Sequence, residues 1–318
     1  MNLRKLETFY WAAKLGSFTA AAERMNATPS TVSMRIQELE REFAVHLFDR
    51  SRRVARVTVL GRELMQYAEQ ILHLAAEMRE RISTAESMPG ILRVGVAEVI
   101  SITWLPRLVK DIHQRFPKVR LELEEALTRD LVDKLEQGSL DLILAPGRIE
   151  GYQFNPVSLG TVQFSWMASP TLGLPDRELT PRDLQNWPVI ALARESYHHT
   201  SIEDWFRSGD AHCQRIDTCK SLGVAASLAQ SGLGVTLLPV RHYQEELAAG
   251  NLKIITSTPA FPPIEFMATC ANDSFQPLAR RVATLAQSLS DFDDVPLESG
   301  SDVDALNEDL DLGLAPKA

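Results

Sequence analysis

The run Thr28-Pro29-Ser30-Thr31-Val32-Ser33-Met34-Arg35 gathers short hydroxyls, a thioether and one long cation. Shortly after it, Arg50-Ser51-Arg52-Arg53-Val54-Ala55-Arg56 carries four guanidiniums and no acid. Guanidiniums pair with phosphates, and hydroxyls bond to base edges, so together these groups suit a duplex better than a reaction centre. Met34 can touch a thymine methyl but cannot make the bidentate contact of Arg with guanine. Sets that would carry catalysis are missing from the sequence. There is no G-x-S-x-G elbow, no P-loop and no G-x-G-x-x-G after a strand. Glu124 and Glu125 are neighbours on a strand pattern, so they point to opposite faces and read as solvated edge charges. Cys213, Cys219 and Cys270 fit neither a metal spacing nor an even disulfide set and read as free thiols. His198-His199 has no acid or cysteine at a usual ligand interval. No enzyme activity, metal or cofactor is expected.

Three helical patterns hold the first run. Leu3, Leu6, Phe9, Tyr10 and Ala13 make an amphipathic helix closed by Gly16. A short Ala-rich helix follows from Ser17, its cap, to Met25, small enough to be crossed closely. The third opens on Thr28 at the N-cap with Pro29 at the first helical position. Val32, Ile36 and Leu39 share its apolar face, and Ser30, Thr31, Ser33, Met34 and Arg35 lie opposite. Leu47-Phe48 should plug the small core, and the arginine run reads as a two-stranded wing against the nucleic-acid backbone.

This block resembles the winged helix-turn-helix of LysR-type transcriptional regulators. The resemblance rests on Gly16-Ser17-Phe18-Thr19 with Ala21-Ala22, on Thr28 to Ser33, and on Ile36, Leu39-Glu40 and Leu47-Phe48-Asp49-Arg50. Where the family usually has Arg after the helix serine, this chain has Met34, with Arg35 next. The resemblance implies DNA contacts from Ser17, Thr28, Pro29, Ser30, Thr31, Ser33, Met34, Arg35, Arg50, Arg52 and Arg53. It also implies double-stranded promoter DNA as partner, assembly as a homodimer or homotetramer, and RNA polymerase as a further partner.

The net charge of −9 opposes DNA binding until it is divided along the chain. Residues 1–60 carry ten basic and six acidic side chains, whereas residues 291–318 carry nine acids and one lysine. The acidity therefore sits in a tail, and the local field at the first unit favours phosphate.

Four segments are expected. Residues 1–58 form the winged helix-turn-helix, all-α apart from its wing. Residues 59–88 form a linker helix with Leu60, Leu64, Tyr67, Ile71, Leu74 and Met78 as a dimerisation seam. Residues 89–290 alternate short apolar strands and helices, a two-lobed α/β effector domain resembling type 2 periplasmic binding proteins. Residues 291–318 are expected to be disordered, with competition against DNA as a second reading.

Ligands of open α/β sheets gather at strand carboxyl ends and helix N-termini. By that rule and by the family resemblance, the effector contacts are Ser101 and Thr103, with further lining from Thr128, Pro146, His199, Thr200 and Gly223. A small organic anion fits these groups. No run of apolar residues is long enough to span a bilayer and no apolar signal core precedes the first helix, so a cytoplasmic protein is expected. An enzyme on the α/β lobes and a solute-binding protein that never meets DNA are the competing readings.

Overall fold

Side-chain caps set the helices of the N-terminal unit. The computed structural model describes residues 2–49, 56–82, 90–149, 154–271 and 277–293. Arg50, Arg52 and Arg53, and the acidic stretch from residue 294 onward, lie outside the described residues. Helix α1, Leu3–Leu15, starts where Asn2 Oδ1 accepts the Lys5 N–H at 2.9 Å. Helix α2, Phe18–Arg24, starts where Ser17 Oγ accepts the Ala20 N–H at 3.3 Å. Helix α3, Pro29–Phe43, starts where Thr28 Oγ1 accepts the Thr31 N–H at 3.2 Å, with Pro29 in the first turn. Each cap satisfies a donor that the helix itself cannot.

Leu6, Phe9, Ala21, Ala22, Val32, Ile36 and Leu39 meet between these helices. Phe48 closes the core, edge-on to Phe9 at 5.7 Å and to Phe18 at 5.1 Å between ring centroids. The chain then forms a two-stranded antiparallel ribbon from β1, Phe48–Asp49, and β2, Arg56–Val57. Glu40 holds the approach to this ribbon. Its buried carboxylate accepts the N–H of Leu47 at 2.8 Å and of Phe48 at 3.3 Å.

Helix α4, Val59–Ile82, packs Ala68, Leu72 and Ala76 against the same core. The expected seam divides. Leu64 and Ile71 lean on that core, while Leu60, Tyr67, Leu74 and Met78 remain exposed, Leu74 at 63%. These four lie at helical spacing along one helix.

Two five-stranded sheets follow. The first has the order β4-β3-β5-β12-β6, from Val119–Glu125, Gly90–Val96, Leu142–Pro146, Ile264–Ala271 and Phe154–Val162. The second has the order β11-β7-β10-β8-β9, from Lys253–Ile255, Phe164–Ala168, Val235–Pro239, Val189–Leu192 and Ile216–Cys219. Strand β3 pairs in parallel with β4 and β5 through α/β crossovers. The sheets are mixed rather than parallel throughout, because β12 runs antiparallel to β5 and β6, and β7 runs antiparallel to β10 and β11. Strand β6 has no clean sequence signal: it holds Pro156 and Gly160, tolerable because it is an edge strand.

The first lobe carries helices α5, Glu98–Ser101; α6, Leu105–Arg115; α7, Thr128–Glu136; and α12, Pro277–Leu289. The second carries α8, Pro181–Leu184; α9, Tyr197–Ser208; α10, Leu222–Gln230; and α11, Gln244–Ala248. The chain passes between lobes at Gln163 and again before Ile264, and Gln163 Nε2 ties the two crossings by donating to the Phe261 carbonyl at 3.1 Å.

Order in the first lobe runs three residues past the expected boundary at 290. Asp293 exchanges backbone hydrogen bonds with Thr161, and the Phe292 ring lies 5.1 Å from Phe266 and 5.8 Å from Trp104. Gly160, at φ +98°, makes room for this, since a Cβ there would sit 2.5 Å from the Asp293 carbonyl oxygen. The N-terminal unit also touches the first lobe. Arg24 stacks on Trp11 at 4.5 Å and pairs with the buried Asp141, whose other oxygen accepts the Arg93 N–H at 2.9 Å.

Glu40→Ala would leave two buried amides without an acceptor, a loss of about 1–3 kcal/mol. Hydrogen exchange of the α1–α3 amides is expected to accelerate at least tenfold, while exchange in the two lobes stays unchanged.

Candidate nucleic-acid interface and inter-lobe pocket

Helix α3 separates its two faces cleanly. Val32, Ile36 and Leu39 are buried, while Thr28, Pro29 and Ser30 are exposed and Met34 is 50% exposed. Thr28 Oγ1 lies 2.8 Å from Ser30 Oγ and 2.9 Å from Thr31 Oγ1, so three hydroxyls cluster at the helix start. That end also carries the positive pole of the helix dipole, which favours phosphate. Ser33 is half-buried on the same edge. The Ser17 hydroxyl is occupied as the α2 cap.

Arg35 departs from the expected arrangement. Its guanidinium donates to Thr8 Oγ1 at 3.4 Å, so the side chain folds back along α1 instead of joining the hydroxyl edge. A long aliphatic stem on a half-buried helix position finds apolar cover more readily than a short side chain does.

A cavity of about 250 Å³ lies between the lobes. Its walls come from the carboxyl ends of β3, β4, β5 and β8 and from the starts of α5, α7, α9 and α10. That is the place the strand-end rule assigns to a ligand. Glu98 crosses it: the carboxylate accepts the Ser221 hydroxyl at 2.7 Å, the Leu222 N–H at 2.5 Å and the Gly223 N–H at 3.2 Å. Two further bonds join the lobes, from the Arg129 N–H to the Glu195 carbonyl at 2.9 Å and from the Tyr197 N–H to Thr128 Oγ1 at 3.3 Å.

His198 lines the cavity and is 5% exposed. Its Nε2 lies 2.8 Å from the Leu237 carbonyl, which only accepts, so Nε2 carries the proton and Nδ1 is a buried acceptor without a partner among the described residues. Burial holds the ring neutral, pushing its pKa down to about 4.

Of the residues expected to meet an effector, the structure brings Thr128 and Pro146 to the cavity. The others lie elsewhere. Ser101 ends the one-turn helix α5, with its hydroxyl buried and unbonded among the described residues. Thr103 donates back to the Val99 carbonyl at 2.6 Å and borders a different cavity, beside Gln163 and Phe292. His199 turns inward, its Nδ1 2.8 Å from the Leu192 carbonyl, and Thr200 is exposed one position further along α9. Gly223 meets Glu98 through its backbone without lining the cavity. His199 and Thr200 fall inside α9, which starts earlier than its apolar pattern suggests, and the extra turn α5 takes Ser101 into a helix. Glu98, Glu125 and Asp130 line the cavity instead and were not expected there. The signal available for Glu98 was an acid placed directly after the carboxyl end of a buried strand.

A helix-turn-helix unit on a long helix, followed by two α/β lobes around a ligand-sized cavity, defines a ligand-responsive transcription regulator. Residues 3–62 match the family described as "Bacterial regulatory helix-turn-helix protein, lysR family", and residues 85–291 match "LysR substrate binding domain". The chain belongs to the LysR family of transcriptional regulators, which bind promoter DNA and small-molecule effectors and form oligomers. It is 30% identical over 262 residues to the HTH-type transcriptional regulator BbuR of Bordetella bronchiseptica, covering 78% of this chain and 77% of that one. It is 26% identical over 275 residues to YofA of Bacillus subtilis, covering 86% and 94%. The fold is similar to that of a full-length OxyR from Pseudomonas aeruginosa, with a TM-score of 0.66 at 22% identity over 92% of this chain and 96% of that one. It is also similar to the full-length LysG of Corynebacterium glutamicum with bound effector Arg, with a TM-score of 0.58 at 21% identity over 91% and 98%. No helix among the described residues is long and apolar enough to cross a membrane.

The neutral His198 gives the fold an acid limit. The unfolded chain takes up a proton near pH 6.5, whereas the folded chain resists until about pH 4. Stability is complete above the first value and is lost as pH falls toward the second, by about 3 kcal/mol. Melting temperature should therefore drop between pH 7 and pH 4. His198→Gln should flatten that part of the profile relative to the parent chain.

Proposed function

We propose that this chain is a homodimeric or homotetrameric regulator that reads a promoter through the exposed edge of α3. In this reading Thr28, Pro29, Ser30, Thr31, Ser33 and Met34 face the major groove, and Arg50, Arg52 and Arg53 hold the backbone beside it. Met34 meets a thymine methyl, and Arg35 braces α3 against α1. The observation that carries the reading is the division of α3 into a buried apolar face and an open hydroxyl edge at its N-terminus. The exposed stripe Leu60, Tyr67, Leu74 and Met78 on α4 supplies the seam for a second copy, which sets the spacing of two half-sites.

The inter-lobe cavity holds the effector in this reading, with Thr128 and Pro146 among its walls. An effector shifts the arrangement of the DNA-binding units only by binding one arrangement better than the other. The domain limits are taken as 1–58, 59–88 and 89–293. In this reading the protein is a regulator and not an enzyme, as the names of its relatives support. It works in the cytoplasm, with RNA polymerase as a partner at the promoter.

The test is binding of the purified chain to promoter duplexes across a salt series. Affinity should fall steeply with salt, as phosphate contacts require. Arg52→Ala should weaken all sequences by a similar factor. Ser33→Ala should change the ranking of sequences by about 1–3 kcal/mol at one step. Equal effects of the two substitutions on every duplex would reject the assignment.

A further inference from the structure

The chemistry of the cavity walls fixes the charge of what they can hold. Helix α10 offers three donors at its start, the Ser221 hydroxyl and the N–H groups of Leu222 and Gly223. All three are taken by Glu98, a carboxylate that the protein supplies from the opposite lobe. An anion entering the cavity finds that helix end already neutralised. It also meets Glu98, Glu125 and Asp130 on the walls, against Lys220 as the lining cation among the described residues. Glu125 and Asp130 are exposed and have no ion-pair partner among the described residues. His198, whose Nε2 proton is committed to the Leu237 carbonyl, lines the cavity as a neutral ring and adds no cation to it. The walls are thus rich in acceptors. The cavity, at about 250 Å³, suits a molecule of on the order of ten non-hydrogen atoms, given about 30 Å³ for one water.

We propose that the inter-lobe pocket takes a small cationic ligand bearing an amine or guanidine, with Glu98 as the built-in anion that reserves the start of α10. The ligand's N–H groups bond to the carboxylates of Glu125 and Asp130. Glu98 keeps the two lobes joined and shuts carboxylates and phosphates out of the start of α10. The organic anion expected from the hydroxyls and helix starts is thereby replaced by a ligand of opposite charge. The proposal rests on the reading of this cavity as the effector site, but not on the DNA-binding role of α3.

The experiment uses purified full-length protein, with calorimetric titration and thermal shift as readouts. The probes are 1,5-diaminopentane and agmatine as cations, and succinate, benzoate and inorganic phosphate as anions. The cations are expected to bind saturably and raise the melting temperature, while the anions do neither. The double variant Glu125→Gln, Asp130→Asn changes only exposed positions and should weaken the cations at least tenfold. Glu98→Ala should lower the melting temperature, and millimolar acetate should restore it in the variant without affecting the parent chain. If Glu98→Ala does not fold, the double variant alone decides. Saturable binding of the anions to the parent chain would overturn the proposal, as would failure of both cations to bind. A chain that retards promoter DNA but ignores the cations loses this inference alone. A chain that binds the cations but not DNA loses the regulator reading alone.

Discussion

The structure depends first on how α3 is buried. Val32, Ile36 and Leu39 hold the helix by one face against α1 and α2, and burying each such side chain contributes about 1.5–3 kcal/mol. Rotation about the helix axis would expose that face, so the hydroxyl edge is fixed outward without any contact of its own. The Thr28 cap and Pro29 set where the helix begins, and therefore which side chains occupy its first turn. Glu40 extends the same control to the chain that follows, through the amides of Leu47 and Phe48. The direction of the ribbon at β1 and β2 follows from that carboxylate.

Buried and half-buried polar contacts join the parts that must communicate. Glu98 links the lobes across the cavity, and Arg24 with Asp141 links the N-terminal unit to the first lobe. The Arg24–Asp141 pair is buried, and a buried ion pair adds little net stability while penalising the loss of either partner by about 3–5 kcal/mol. Its effect is to favour one docking of the two parts over others. Trp11 contributes shape to that docking, since it covers the Arg24 guanidinium and fills the space that a side chain at Gly138 would need. A movement of the first lobe therefore has a direct mechanical route to α2, and through α2 to α3.

Sequence made the N-terminal unit readable because its signals are local. Caps, a first-turn proline and a period of three to four are properties of neighbouring residues, and Ser17, Thr28 and Pro29 sit where those signals place them. The alternation of β4, the apolar runs of β7 and α10 and the three-to-four period of α12 were readable for the same reason. Strands β6, β9 and β11 were not, because edge strands are short or polar and their pairing is decided by distant residues. The pocket failed in the same way. Which side chain reaches the cavity depends on where a helix begins to within one residue, and one turn of α5 moved Ser101 and Thr103 away while bringing in Glu98. Arg35 shows the limit within a single helix: its position was readable, but its direction was set by Thr8 on another helix.

The most direct measurement is chemical probing of guanine N7 in the major groove of a duplex selected from a random pool by the full-length chain. Protection in two half-sites separated by about one helical turn or a multiple is the result expected of paired α3 helices lying in the groove. Binding that leaves every guanine N7 reactive, or that a minor-groove ligand abolishes while the major groove stays open, would contradict it.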